Sequence, residues 1–172
     1  MENNSLETPV TNRGVTHTID NSKVFDFKGE INKFGQYILF DWFQFTIPIK
    51  DDDNVNTFEP VILYFKKFNE AEILNKLEFL KIKIYQLFKD LFNIEKQDLF
   101  FEDKGINGYS HCISYDNIRM YFSPSQPHMG INVLMSGQGC RDFDILGLDY
   151  KELVKKVNDL GGKYNRVDIA ID

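Results

Sequence analysis

The run from Tyr37 to Ile49 constrains the fold more than any other stretch of the chain. It reads Tyr-Ile-Leu-Phe-Asp-Trp-Phe-Gln-Phe-Thr-Ile-Pro-Ile. Such a β-branched and aromatic stretch, apolar on nearly both faces, is the pattern of a central strand covered by further layers. Pro48, which has no amide hydrogen to give a ladder, closes it. A covering layer is legible further on. Between Asn69 and Phe92 the residues Ile73, Leu74, Leu77, Leu80, Ile84, Leu87, Phe88 and Leu91 recur at three- and four-residue steps, which predicts a long amphipathic helix packed across a sheet. Asn69 can cap it, Glu70 and Glu72 suit its positive N-terminal end, and Lys76, Lys81, Lys83 and Lys89 fill the remaining faces.

Shorter strands follow. Tyr109–Tyr115, a turn at Asp116 and Asn117, Ile118–Ser123 and Gly130–Met135 read as a meander, with a Pro-containing loop over Ser123–Met129. A second helix is predicted over Asp149–Leu160, with Leu153, Val157 and Leu160 inward, and Gly161 and Gly162 end it before a last strand. Met1 to about Ser22, rich in Asn, Thr and Ser, reads as a loosely held polar arm. The expected organisation is therefore an arm over 1–22 and a single domain over 23–172. Its fold class is α+β, an antiparallel sheet with two helices packed on it.

With 172 residues, 42% of them hydrophobic, the chain has ample apolar material for one core. No segment approaches the roughly 18 uncharged apolar residues of a membrane span, and the polar start lacks a hydrophobic signal region, so a cytoplasmic protein is expected. Cys112 and Cys140 are too few for a disulfide framework and form no CxxC zinc pattern, and both read as reduced thiols. Residues 1–103 carry 12 Lys+Arg against 18 Asp+Glu, whereas 104–172 carry 8 of each. The whole acidic excess lies in the first part, so contact with a phosphate backbone must come from a local basic patch, while an acidic surface could instead meet a basic protein.

Two stretches carry the chemistry. Residues 166–172, Arg-Val-Asp-Ile-Ala-Ile-Asp, alternate so that Arg166, Asp168, Ala170 and Asp172 share one side of a strand and Val167, Ile169 and Ile171 the other. Carboxylates at the end of an apolar strand must be hydrated, paired or metal-bound. The second stretch is Met135-Ser136-Gly137-Gln138-Gly139-Cys140-Arg141. Its glycines permit positive φ, its backbone amides can approach an anion, and Arg141 can grip phosphate bidentately. It lacks the Gly-Lys-Ser ending of a Walker loop, and a plain tight turn remains an equal reading. Asp51, Asp52 and Asp53 form a hydrated loop without the glycine and glutamate of a calcium loop.

Together, residues 135–141 and 166–172 resemble the replication initiation factor family, often called Rep_trans, of plasmid rolling-circle initiators and conjugative relaxases. The stretch Asp41-Trp42-Phe43-Gln44-Phe45 is similar to that family's opening strand. The resemblance covers about Tyr37 to Asp172. It implies a sheet bearing a divalent-metal site and a tyrosine that nicks DNA and becomes joined to the 5′ phosphate. In the family that tyrosine lies beyond the strand matched by 166–172, so it is expected to be missing here, and none of Tyr109, Tyr115, Tyr121, Tyr150 and Tyr164 is assigned its role. A shortened initiator also resembles some anti-CRISPR proteins, which implies Cas9 or its guide RNA as a partner.

Asp168 and Asp172 would stand roughly 13 Å apart on a straight strand and cannot share an ion. A magnesium or manganese site is instead expected from Asp168 with Asp41, and His111 as a further candidate; Arg141 and Arg166 would neutralise phosphate or a developing charge. The competing reading of Asp41 and Arg166 is a cross-strand salt bridge. Cys140 reads as a packed residue. Three functions stay open: metal-dependent attack on DNA or RNA, inhibition of Cas9 or its guide, and non-catalytic nucleic-acid binding through Ser136, Gly137, Gln138, Gly139 and Arg141.

Overall fold

The aromatic run becomes strand β1, Ile38–Ile47, and its alternation decides which side of the sheet is covered. Phe43, Phe45 and Ile47 are buried on one side, while Trp42, Gln44 and Thr46 face the other and are only half-buried. The computed structural model describes residues 38–49 and 67–171. The expected arm over 1–22 and the loop of Asp51, Asp52 and Asp53 lie outside the described residues.

After β1 come helix α1 (Glu70–Phe92), strands β2 (Phe100–Glu102), β3 (His111–Tyr115), β4 (Ile118–Phe122) and β5 (Ile131–Ser136), helices α2 (Gly137–Ile145) and α3 (Tyr150–Asp159), and strand β6 (Lys163–Ile171). The strands form one sheet in the order β2-β3-β4-β5-β1-β6, every neighbouring pair antiparallel. The α+β class is as the sequence predicts. The described residues hold three helices rather than two, because the glycine-containing stretch after β5 folds as the first turn of α2.

The helices cover a single face of the sheet. Phe43, Phe45 and Ile47 of β1 pack with Ile131, Val133 and Met135 of β5 and Ile118, Met120 and Phe122 of β4, under Leu80, Ile84, Leu87, Phe88 and Leu91 of α1, Cys140 and Phe143 of α2, and Leu153 and Val157 of α3. Each large apolar side chain so buried contributes about 1.5–3 kcal/mol. Local chemistry sets the helix ends. The Asn69 side chain accepts from the Glu72 amide while the Glu72 carboxylate accepts from the Asn69 amide, a complete capping box. Asp149 caps α3 by accepting from the Lys151 amide, and Gly161, at φ 72°, turns the chain into β6.

Candidate functional site

Opposite the helices, register pairs line up polar side chains in rows across β5, β1 and β6. Ser136, Trp42 and Asp168 make one row, Leu134, Gln44 and Arg166 the next, and Asn132, Thr46 and Lys163 a third. The middle row continues onto β4 through Arg119. A hydrogen-bonded chain links them: the Trp42 indole N–H donates to Gln44, the Gln44 amide to Asn132, the Asn132 amide to Thr46, and the Thr46 hydroxyl to Asn165. Beside it sits a small apolar cluster of Cys112, Tyr121 and Leu134, edged by Trp42 and Tyr109.

Two register shifts interrupt the β1–β6 ladder. Phe40 pairs with Ile169 and Trp42 with Asp168, so Asp41 is the extra residue; Gln44 pairs with Arg166 and Phe45 with Tyr164, so Asn165 is another. A bulge turns the extra side chain out of the regular alternation, and Asp41 is thereby brought against the start of α2. A Cβ at Gly137 would meet the Asp41 Oδ1 at 2.6 Å, and the Arg141 guanidinium lies 4.0 Å from the same oxygen.

The glycines therefore serve a different purpose from the one expected. Neither Gly137 nor Gly139 has positive φ. Both are needed for close approach: Gly137 to Asp41, and Gly139 to the Asn117 backbone carbonyl, which would stand 2.5 Å from an added Cβ. Asp142, one turn on, accepts from the backbone and side-chain amides of Asn117 at 3.1 and 2.9 Å, tying α2 to the β3–β4 turn. Gln138 donates to Asp142. Ser136 occupies the N-cap position of α2 without a side-chain hydrogen bond there, and Arg141 is 54% exposed.

Arg166 is held quite differently. Its Nε donates to Asp168 Oδ1 at 3.1 Å, a terminal nitrogen pairs with the other carboxylate oxygen, and the guanidinium lies 4.3 Å from the centre of the Trp42 ring. Asp168 is buried, whereas the Arg166 side chain is 48% exposed. The hydrogen bonds it donates to Asp168 raise the Arg166 pKa, and Asp41 adds to that effect through space. Instead of one Asp41–Arg166 cross-strand bridge there are two pairs, Asp41 with Arg141 and Arg166 with Asp168, coupled across the bulge.

This donor set does not fit a metal ion held by protein ligands alone. Among the described residues no trio of His, Cys, Asp or Glu is placed to hold one, and both Asp168 oxygens already accept from Arg166. His111 is not available to the pair: it lies on β3, three strands from β1 and thus roughly 14 Å away across the sheet. Its ring is stacked between Phe101 and Phe122. Nor do the described residues offer an activated side-chain nucleophile in the thiols or the packed phenols. Burial pushes Cys112 and Cys140 up to about 12 and Tyr164 up to about 12, and it raises Tyr109, Tyr121 and Tyr150 as well. Tyr150, wedged against Phe40 and Phe143, donates to the Cys140 carbonyl.

Residues 74–154 match the family model described as the rolling circle replication initiation protein N-terminal domain. The chain is similar to rolling-circle replication initiators. A rolling-circle replication initiator protein from Geobacillus stearothermophilus has the same fold, with a TM-score of 0.54 and 22% identity over 80% of this chain and 44% of that one. "Putative DNA relaxase NicK" of Bacillus subtilis (strain 168) is 24% identical over 127 residues, 64% of this chain and 35% of that protein. The chain thus spans about a third of the curated relative and less than half of the solved initiator. The family match takes in Ser136–Arg141 and stops short of β1 and β6, which supply Asp41, Arg166 and Asp168 to this initiator-like sheet.

The row of Trp42, Gln44 and Thr46 escaped the sequence reading because their strand looked apolar on both faces. Strict alternation of Trp, Gln and Thr against Phe, Phe and Ile was the signal that separates the two sides.

Proposed function

We propose that this initiator-like domain binds a nucleic-acid strand, gripping its phosphates where α2 meets the bulge of β1. The observation that carries the proposal is the state of Arg141. Its guanidinium is exposed and only loosely held: Asp41 stands at 4.0 Å, the outer limit of an ion pair, and Asp144 attracts it through space, so a phosphate can take it over at little cost in broken bonds. One turn earlier, the N-terminus of α2 offers backbone amides and the positive end of the helix dipole, with no hydrogen bond from the Ser136 side chain across them. DNA is the polymer favoured by likeness to a relaxase and to replication initiators.

The test is equilibrium binding of labelled single-stranded DNA. Arg141→Ala should weaken binding roughly tenfold, the scale of losing one charge-assisted contact; unchanged affinity in that variant, or no binding by the wild type, overturns the proposal. Incubation with magnesium or manganese examines the hydrolytic reading in the same tubes. A cleaved product that disappears in Asp168→Ala supports catalysis, and intact substrate leaves a binding domain. Guide RNA and a Cas9–guide complex belong among the substrates because the anti-CRISPR resemblance implies them.

A further inference from the structure

Arg166 and Arg141 are both exposed arginines near one end of the sheet, yet they are held differently: Arg141 stands 4.0 Å from its carboxylate partner, whereas Arg166 is hydrogen-bonded to its own. Arg166 has committed its Nε and one terminal nitrogen to Asp168, and the ion pair leaves little net charge to neutralise a phosphate. What remains is a flat guanidinium fixed on two sides: Asp168 holds it edge-on, and the Trp42 ring supports it from below at 4.3 Å. Trp42 is itself pinned by its bond to Gln44. A planar cation immobilised in this way, with nearly half of its side chain open, is a ready surface for a nucleobase, since bases stack on guanidinium planes as they do on aromatic rings.

The surroundings fit the same ligand. Gln44 is the register partner of Arg166, and its amide, bonded to Trp42 and Asn132, retains a further donor hydrogen and a lone pair for a base edge. Exposed Arg119 stands on the same face at the far end of this row, three strands from Arg166, and exposed Lys163 lies in the adjoining row, so a backbone crossing the sheet finds further cations. A duplex keeps its bases stacked on one another; only an unpaired base can lie on such a surface.

From this geometry we infer that the Trp42–Arg166–Asp168 stack is a platform for one unpaired nucleobase, with Gln44 positioned at its edge, and that the domain selects single-stranded over duplex nucleic acid through it. The inference rests on the proposed strand binding and deepens it: Arg141 takes phosphate and Arg166 takes a base.

The experiment compares three probes by fluorescence anisotropy: a labelled single-stranded oligonucleotide, an abasic oligonucleotide of the same length, and the same sequence as a duplex. Wild type is expected to prefer the single strand over the abasic probe by roughly tenfold, the scale of one stacked base, and over the duplex as well. Arg166→Lys keeps the charge and loses the plane, so it should bind the normal and abasic strands equally, at the abasic level, while melting within a few degrees of wild type. Equal wild-type affinity for the normal and abasic strands overturns the platform without any variant; so does a preference for duplex, or a base-dependent margin that survives in Arg166→Lys. If strands bind without regard to bases and Arg141→Ala weakens that binding, the phosphate grip stands and the base platform falls. If no probe binds, both fall.

Discussion

His111 shows how a single side chain can carry the right chemistry in the wrong place. Its sequence position offered a ligand or a structural ring, and the register across β3 and β4 makes it the latter, stacked between two phenylalanines. Burial lowers its pKa, against a smaller opposing pull from Asp103. With the folded value below the unfolded one, the folded protein resists the proton that the unfolded chain accepts. Stability is therefore full above about pH 6.5 and falls as the pH drops below it. Melting temperature should decline between pH 7 and 5.5 in wild type, and in His111→Phe this part of the decline should vanish; an identical slope in both proteins would remove His111 from the account. At the same scale, the residues of the closing strand were readable as charged and clustered from their alternation. Which partner each would choose was not, because the choice of Arg166 for Asp168 and of Arg141 for Asp41 depends on a bulge that no spacing announces.

At the scale of elements, α1, α3 and five of the six described strands follow from periodicity and caps, to within a few residues at their ends. Asn69 and Asp149 sit at the very N-cap positions their side chains favour. Helix α2 was hidden because two glycines in four residues read as a turn, whereas here they admit a carboxylate and a carbonyl against the helix backbone. Strand β2, Phe100–Glu102, is too short to show a period. The two glycines make a paired prediction. Gly139→Ala forces a Cβ against the Asn117 carbonyl and should destabilise the fold by about 1–3 kcal/mol. Gly137→Ala meets only the ends of two rotatable side chains, the Asp41 carboxylate at 2.6 Å and the Arg141 guanidinium at 3.1 Å, so denaturant midpoints should change little while the Asp41–Arg141 contact is lost. Equal destabilisation by the two substitutions would contradict this reading of the first turn of α2.

The whole molecule divides its labour between two faces of one sheet. Among the described residues three helices seal one side with aliphatic and aromatic packing, and the other side carries the ladder of Trp42, Gln44, Asn132 and Thr46 with Arg166 and Asp168 beside it. Strand β1 joins the two functions, since its odd positions from Phe43 onward build the core and its even positions build the exposed face. Similarity to initiators extends over a part of those longer proteins, and the sheet supplies a surface for a strand irrespective of what chemistry follows. The most direct test of that surface is the salt dependence of single-stranded DNA binding. If Arg141 meets a phosphate, log affinity for wild type falls with log salt concentration, and Arg141→Ala binds more weakly with a slope shallower by about 0.7, the share of one phosphate contact on a single strand. A slope and an affinity untouched by Arg141→Ala would contradict the account.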